Sequence, residues 1–74
     1  MRKGIVIQID PFFGKGVIED ENGQDIFFDL GLIESDINTG DLVLFQIILG
    51  PDGLVASDVQ QMVQKSEVNF TSDI

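Results

Sequence analysis

The sequence predicts an all-β domain in which five short strands close into an antiparallel barrel. Clusters of turn-forming residues recur at short intervals along the chain. The stretches between them are rich in Ile, Val and Phe and have the length of strands. No stretch has the apolar periodicity of a full helix. Because an open sheet exposes edges at which proteins aggregate, five short strands in a chain of 74 residues favour a closed barrel.

Turn residues set the ends of the predicted strands. Asn22-Gly23 and Asp52-Gly53 are typical of tight hairpin turns, because glycine and asparagine adopt the positive φ angles that these turns need. We therefore expect the second strand to pair with the third, and the fourth with the fifth. Residues 30–38 leave room for one helical turn. The predicted strands run from Gly4 to Asp10, Gly16 to Asp20, Asp25 to Asp29, Asp41 to Leu49 and Leu54 to Gln60.

The fourth strand is apolar on both faces. Its sequence from Leu42 to Leu49 lacks the alternation of a half-buried strand, so we expect the core to cover one face and something else to cover the other. Two small barrels accommodate five strands, the oligonucleotide-binding (OB) barrel and the SH3-like barrel. We assign the barrel to residues 1–62 and predict that residues 63–74 form a tail, partly docked or disordered.

Composition excludes most catalytic and metal chemistry. The chain has no cysteine and no histidine, so it lacks disulfides, thiolate or imidazole metal ligands, and the usual nucleophile–base pairs. Thirteen acidic and four basic residues give a net charge of −9, whose sign opposes phosphate binding. The hydrophobic fraction of 43% is too high for a disordered acidic chain, and no membrane span or signal peptide is visible. We expect a small cytoplasmic binding module without cofactor or metal, and not an enzyme.

Five motifs from Gly4 to about Gln60 resemble the cold-shock domain, an OB barrel, in their order and spacing. Gly4-Ile5-Val6 is similar to the family's opening Gly-x-Val. The first RNA-binding motif, Lys-Gly-Phe-Gly-Phe-Ile, corresponds to Phe13-Gly14-Lys15-Gly16-Val17-Ile18, and the second, Gly-x-Asp-Val-Phe-Val, to Gly23-Gln24-Asp25-Ile26-Phe27-Phe28. Two closing motifs follow at residues 40–45 and 53–59. The resemblance implies an OB barrel.

The residues that bind nucleic acid in the family are mostly replaced here. Cold-shock domains stack bases on exposed aromatic rings beside lysines. Phe27 keeps one of these aromatic positions. The other aromatic positions carry Gln8, Lys15, Val17, Asp29 and Leu30, and two lysine positions correspond to Ile5 and Ile7.

The resemblance implies a non-catalytic domain that binds single-stranded RNA or DNA, and the substitutions imply that this binding is weak. The implied contact residues are Lys3, Phe12, Phe13, Lys15 and Phe27. An alternative hypothesis is a protein-interaction module or a homodimer that uses an aliphatic face where the family has an aromatic and basic one. The residues of that face are Ile5, Ile7, Val17, Phe27 and Leu30.

Two questions of side-chain orientation decide between these hypotheses. In the Pro-Phe-Phe-Gly loop, either both rings contact solvent or one of Phe12 and Phe13 plugs the barrel. The aliphatic residues are either exposed, as the resemblance implies, or part of the core, because a slip of one residue along a strand exchanges its faces. Phe27 and Phe28 alternate along a strand, so we expect one to point inward and the other outward.

Overall fold

The computed structural model describes residues 1–33 and 36–62. In chain order its elements are β1 (Arg2–Asp10), β2 (Lys15–Asp20), β3 (Asp25–Asp29), a turn of 3-10 helix (Leu30–Leu32), β4 (Leu42–Gly50) and β5 (Gly53–Gln61). The strands close into a barrel in the order β1-β2-β3-β5-β4, which is consistent with an OB-like barrel. The five predicted strands are confirmed, with ends displaced by two residues or fewer. The predicted tail, residues 63–74, lies outside the described residues.

The strand pairing is mixed, so the prediction of a purely antiparallel barrel is wrong. Four contacts are antiparallel, namely β1–β2, β2–β3, β1–β4 and β4–β5, and the fifth, between β3 and β5, is parallel through Phe27 and Val55. Strand directions cannot alternate all the way around a ring with an odd number of members. A closed barrel of five strands therefore contains at least one parallel pair.

Both predicted hairpins form, and a buried carboxylate fixes the turn of the first. Asp20 ends β2 at 6% exposure, and its Oδ1 accepts hydrogen bonds from the amides of Asn22 and Gln24, each at 2.9 Å. Gly23 has a φ of 80° at this turn, in the region where glycine is favoured. The aspartate thus satisfies amides at the turn that have no partner within a strand.

The core is formed by side chains that alternate inward along the strands. Phe28 is 2% exposed while Phe27 is 56% exposed, which confirms the predicted alternation of the two rings. The half-buried Leu30, in the 3-10 helix, packs against the core. The buried core cluster comprises Val6, Ile18, Ile26, Phe28, Val43, Phe45 and Ala56.

Within the described residues the outer face of β4 is largely uncovered, and the predicted second covering of this strand stays a prediction. Val43 and Phe45 point into the core and are fully buried. Leu42 and Ile48, by contrast, are each about half exposed, and Leu49 is 79% exposed. The apolar character of β4 therefore reflects an exposed surface as well as the core.

Candidate ligand-binding face

A small depression lies on the outside of the barrel, across β1, β2 and the loop between them. Its volume is about 190 Å³, and we call it the Val17 pocket. Val17 faces outward because Ile18, the next residue of β2, belongs to the core. The residues around the pocket are Gln8, Asp10, Phe13, Lys15, Gly16, Val17 and Phe27.

The low exposure of Val17 comes from neighbours on the outer face. It is only 9% exposed, although it is not part of the core cluster. In the sheet it lies directly between Gln8 of β1 and Phe27 of β3, both exposed. Val17 therefore forms the apolar floor of an exterior pocket.

Phe12 and Phe13 both contact solvent at the rim of this face. They are 87% and 69% exposed, and their ring centroids lie 4.9 Å apart in an edge-to-face arrangement. Asp10 orders the loop, since its Oδ1 accepts hydrogen bonds from the amides of Phe12 (3.1 Å) and Phe13 (3.2 Å). Neither ring plugs the barrel, so the first of the two alternatives for this loop is confirmed.

Each of the two lysines expected to contact nucleic acid has acidic neighbours. Lys15 pairs in register with Asp10 of β1 on one side and with Asp29 of β3 on the other. Directly opposed side chains of a sheet are close enough for opposite charges to attract. The Nζ of Lys3 lies 3.9 Å from Oε2 of Glu21. Carboxylates therefore lie near both lysines, although within the described residues only Lys3 has a carboxylate oxygen within 4 Å.

The expected contact residues are not all brought together. Phe13, Lys15 and Phe27 surround the Val17 pocket, and Phe12 is next to it. Lys3 instead lines a separate depression of about 250 Å³ with Ile5 and Glu19. The expected nucleic-acid contacts thus fall on two separate parts of the surface.

Of the five residues of the alternative aliphatic face, Leu30 is set apart from the other four. Ile5 and Ile7 are 43% and 41% exposed on β1, and Val17 and Phe27 lie together across β2 and β3. Leu30 is half-buried and packs on the core, so it contributes little to an outer surface. A contiguous aliphatic face built from Val17 and Phe27 does not include Leu30.

An apolar row that the sequence patterns do not indicate extends this face around the barrel. Val17 is in register with Phe27, Phe27 with Val55 of β5, and Val55 with Ile48 of β4. Val55 is half-buried and Ile48 is about half exposed. The row depends on the parallel contact between β3 and β5, which joins strands that are distant along the chain.

A wider groove of about 870 Å³ opens where β3 and β5 diverge beyond their single paired position. Asp29 and Asp58 contribute the charges among its lining residues, and none of those residues is basic. The groove is therefore unsuited to a phosphate.

Within residues 1–33 and 36–62, no three acidic side chains are grouped so as to hold a metal ion. The same residues contain no helix with the length and apolarity needed to cross a membrane.

Comparison with known proteins gives no match in sequence, either to a protein-family model or to a curated protein.

Proposed function

We propose that this protein is a non-catalytic cytoplasmic domain that binds single-stranded RNA or DNA weakly, with bases placed against the aromatic rings around the Val17 pocket. The observation that carries the proposal is the grouping of Phe12, Phe13 and Phe27 on one outer face at 87%, 69% and 56% exposure. Flat exposed rings beside an apolar depression suit base stacking, which tolerates any sequence because every base has a π-face.

The charges around the site support weak binding with little dependence on salt. A base stacked on an aromatic ring contributes roughly 1–3 kcal/mol, so a few rings can hold a strand without strong phosphate contacts. Because Asp10 and Asp29 flank Lys15, little net positive charge is available to release counterions from the strand. The net charge of −9 further slows the approach of any polyanion.

Fluorescence anisotropy with labelled oligo-dT and oligo-U at low salt tests the proposal. We expect saturable binding that Phe13→Ala weakens and that Lys15→Glu abolishes, because the latter leaves three adjacent carboxylates beside the rings. Leu32→Ala is the matched control, because Leu32 is 79% exposed on the 3-10 helix and does not line the pocket. No binding at about 100 μM protein would contradict the proposal. A dissociation constant of about 100 μM corresponds to a binding free energy of about −5.5 kcal/mol, and the true value would then be weaker still.

A second candidate function, protein interaction through the same face, is favoured by the acidic residues on both sides of Lys15 and by the apolar row from Val17 to Ile48. Contiguous exposed apolar surface is typical of protein contacts. Light scattering at rising concentration tests the homodimer form of this candidate. A dimer that Phe27→Ser dissociates supports it, and a dimer that withstands this change contradicts it.

A further inference from the structure

The end of β4 extends past its neighbour β1. Pairing between these strands runs from Ile5 opposite Leu42 to Arg2 opposite Phe45. β4 then continues through Gln46 to Gly50, paired with β5 on one side only. Among the described residues, no backbone group pairs with the other edge of this stretch. The described barrel thus leaves one open edge at residues 46–50.

This edge lacks the features that usually prevent strands from associating. Proteins commonly protect an open edge with charged side chains, proline or a bulge. The whole of β4, Leu-Val-Leu-Phe-Gln-Ile-Ile-Leu-Gly, contains no charged residue and no proline, and its one irregularity lies before Gln46, between Leu44 and Gln46. Ile48 and Leu49 are 49% and 79% exposed along it.

We propose that a second copy of this chain pairs antiparallel with this edge, forming a two-fold symmetric dimer whose sheet continues from one β4 to the other. An antiparallel pair of identical segments is self-complementary, so each copy donates and accepts the same set of backbone hydrogen bonds. The proposal is independent of what binds at the Val17 pocket.

If two copies associate, electrostatic repulsion favours contact at the uncharged β4 edge over contact at other parts of the acidic surface. Two chains that each carry −9 repel one another over most of their surfaces. β4 is a nine-residue strand without any charge, so the backbones approach there at the smallest electrostatic cost. β4 itself carries no cation for a polyanionic strand, and the nearest one is Arg2 of β1, in register with Phe45.

The dimer also adds a strand to the hairpin near the β4–β5 turn. Leu49 and Leu54 are in register and are 79% and 58% exposed. This part of the hairpin is a two-stranded ribbon, and such ribbons are marginal in water on their own. Adding the partner's β4 converts it into a four-stranded sheet.

Sedimentation equilibrium of the full chain, from micromolar to millimolar concentration, tests the proposal. We expect a mass that rises from 8.1 kDa towards twice that value, more steeply in high salt because ions screen the repulsion between copies. Ile48→Lys places like charges across the two-fold axis and is expected to raise the dimer dissociation constant about tenfold or more. Gln46→Lys, at an exposed position of the same edge, is expected to act in the same direction.

Leu32→Lys is the matched control, because it adds the same charge at an exposed leucine away from β4 and should leave the dimer intact. The proposal is overturned by a monomer throughout the range, by a dimer that withstands both edge variants, or by equal loss in the control. Oligonucleotide binding is expected to survive Gln46→Lys, because Gln46 lies outside both the Val17 pocket and the apolar row. Failure of the dimer proposal and failure of the binding proposal therefore give different results.

Discussion

Removing the two carboxylates beside Lys15 is expected to strengthen oligonucleotide binding and to make it depend on salt. The double variant Asp10→Asn/Asp29→Asn changes the net charge from −9 to −7. Asparagine can retain the local hydrogen bonds, because it accepts from backbone amides as aspartate does. The Oδ1 of Asp10 accepts from the loop amides, and that of Asp29 accepts from Gly31 at 2.8 Å. The fold should therefore persist.

The expected gain in affinity is calculated from the strand register, which places one carboxylate opposite Lys15 on each neighbouring strand. An opposite-charge pair across strands contributes roughly 0.2–1 kcal/mol. Among the described residues neither carboxylate lies within 4 Å of the Lys15 ammonium, so the gain comes from removing two nearby negative charges that repel a phosphate. With the cross-strand value taken for each charge, the dissociation constant should fall about two- to thirty-fold. For a single strand, each phosphate that Lys15 newly neutralises should steepen the slope of log K against log salt by roughly 0.7.

Anisotropy titrations of the wild type and the double variant, at several salt concentrations, measure both quantities. Asp52→Asn combined with Asp58→Asn is a control with the same net charge, since neither residue lines the Val17 pocket. Equal gains in the control and the double variant would show that only total charge matters. Unchanged affinity and slope in the double variant would show that Asp10 and Asp29 do not limit phosphate binding by Lys15.

Three further predictions concern the stability of the barrel and are measured by thermal or urea unfolding. Gly16→Ala should lower the free energy of unfolding by about 1–3 kcal/mol, because an added Cβ would overlap the ring of the buried Phe28. An unchanged Tm would contradict this packing. Phe45→Ala should lower the free energy of unfolding by about 3–5 kcal/mol, because Phe45 is fully buried. Phe12→Ala should leave it almost unchanged, because Phe12 is 87% exposed. Similar losses in the two variants would be inconsistent with this core. Asp20→Ala should lower the free energy of unfolding by about 1–3 kcal/mol, because two turn amides lose their hydrogen-bond acceptor. Stability equal to that of the wild type would show that water replaces the carboxylate.

Most of the fold can be predicted from the sequence, because turn dipeptides and the alternation of residues within a strand are local features. Turn pairs such as Asn22-Gly23 specify hairpins through their φ preferences. Alternation within β3 predicts that one of Phe27 and Phe28 points inward, and the structure shows that it is Phe28. The parallel contact between Phe27 and Val55 has no local signal, although the odd number of strands in a closed ring requires one such contact. Hairpin patterns describe neighbours along the chain, whereas closure joins strands that are not consecutive.

The candidate site is less accessible, because it depends on which residues are opposed across strands. The position of Lys15 between Asp10 and Asp29 follows from register, which turn and periodicity patterns fix only loosely. The alternative hypothesis places Val17 on the outer face, but no sequence pattern indicates its low exposure there. The lack of alternation in β4 suggests burial on two sides, whereas Ile48 and Leu49 are exposed.

Amide chemical-shift mapping during titration with oligo-dT locates the face on which this barrel binds its ligand. We expect the largest shifts in the Phe12–Phe13 loop, on Lys15 and Val17, and on Phe27. Shifts confined to the groove between β3 and β5, or to the β4–β5 turn, would show that the Val17 pocket is not the binding site.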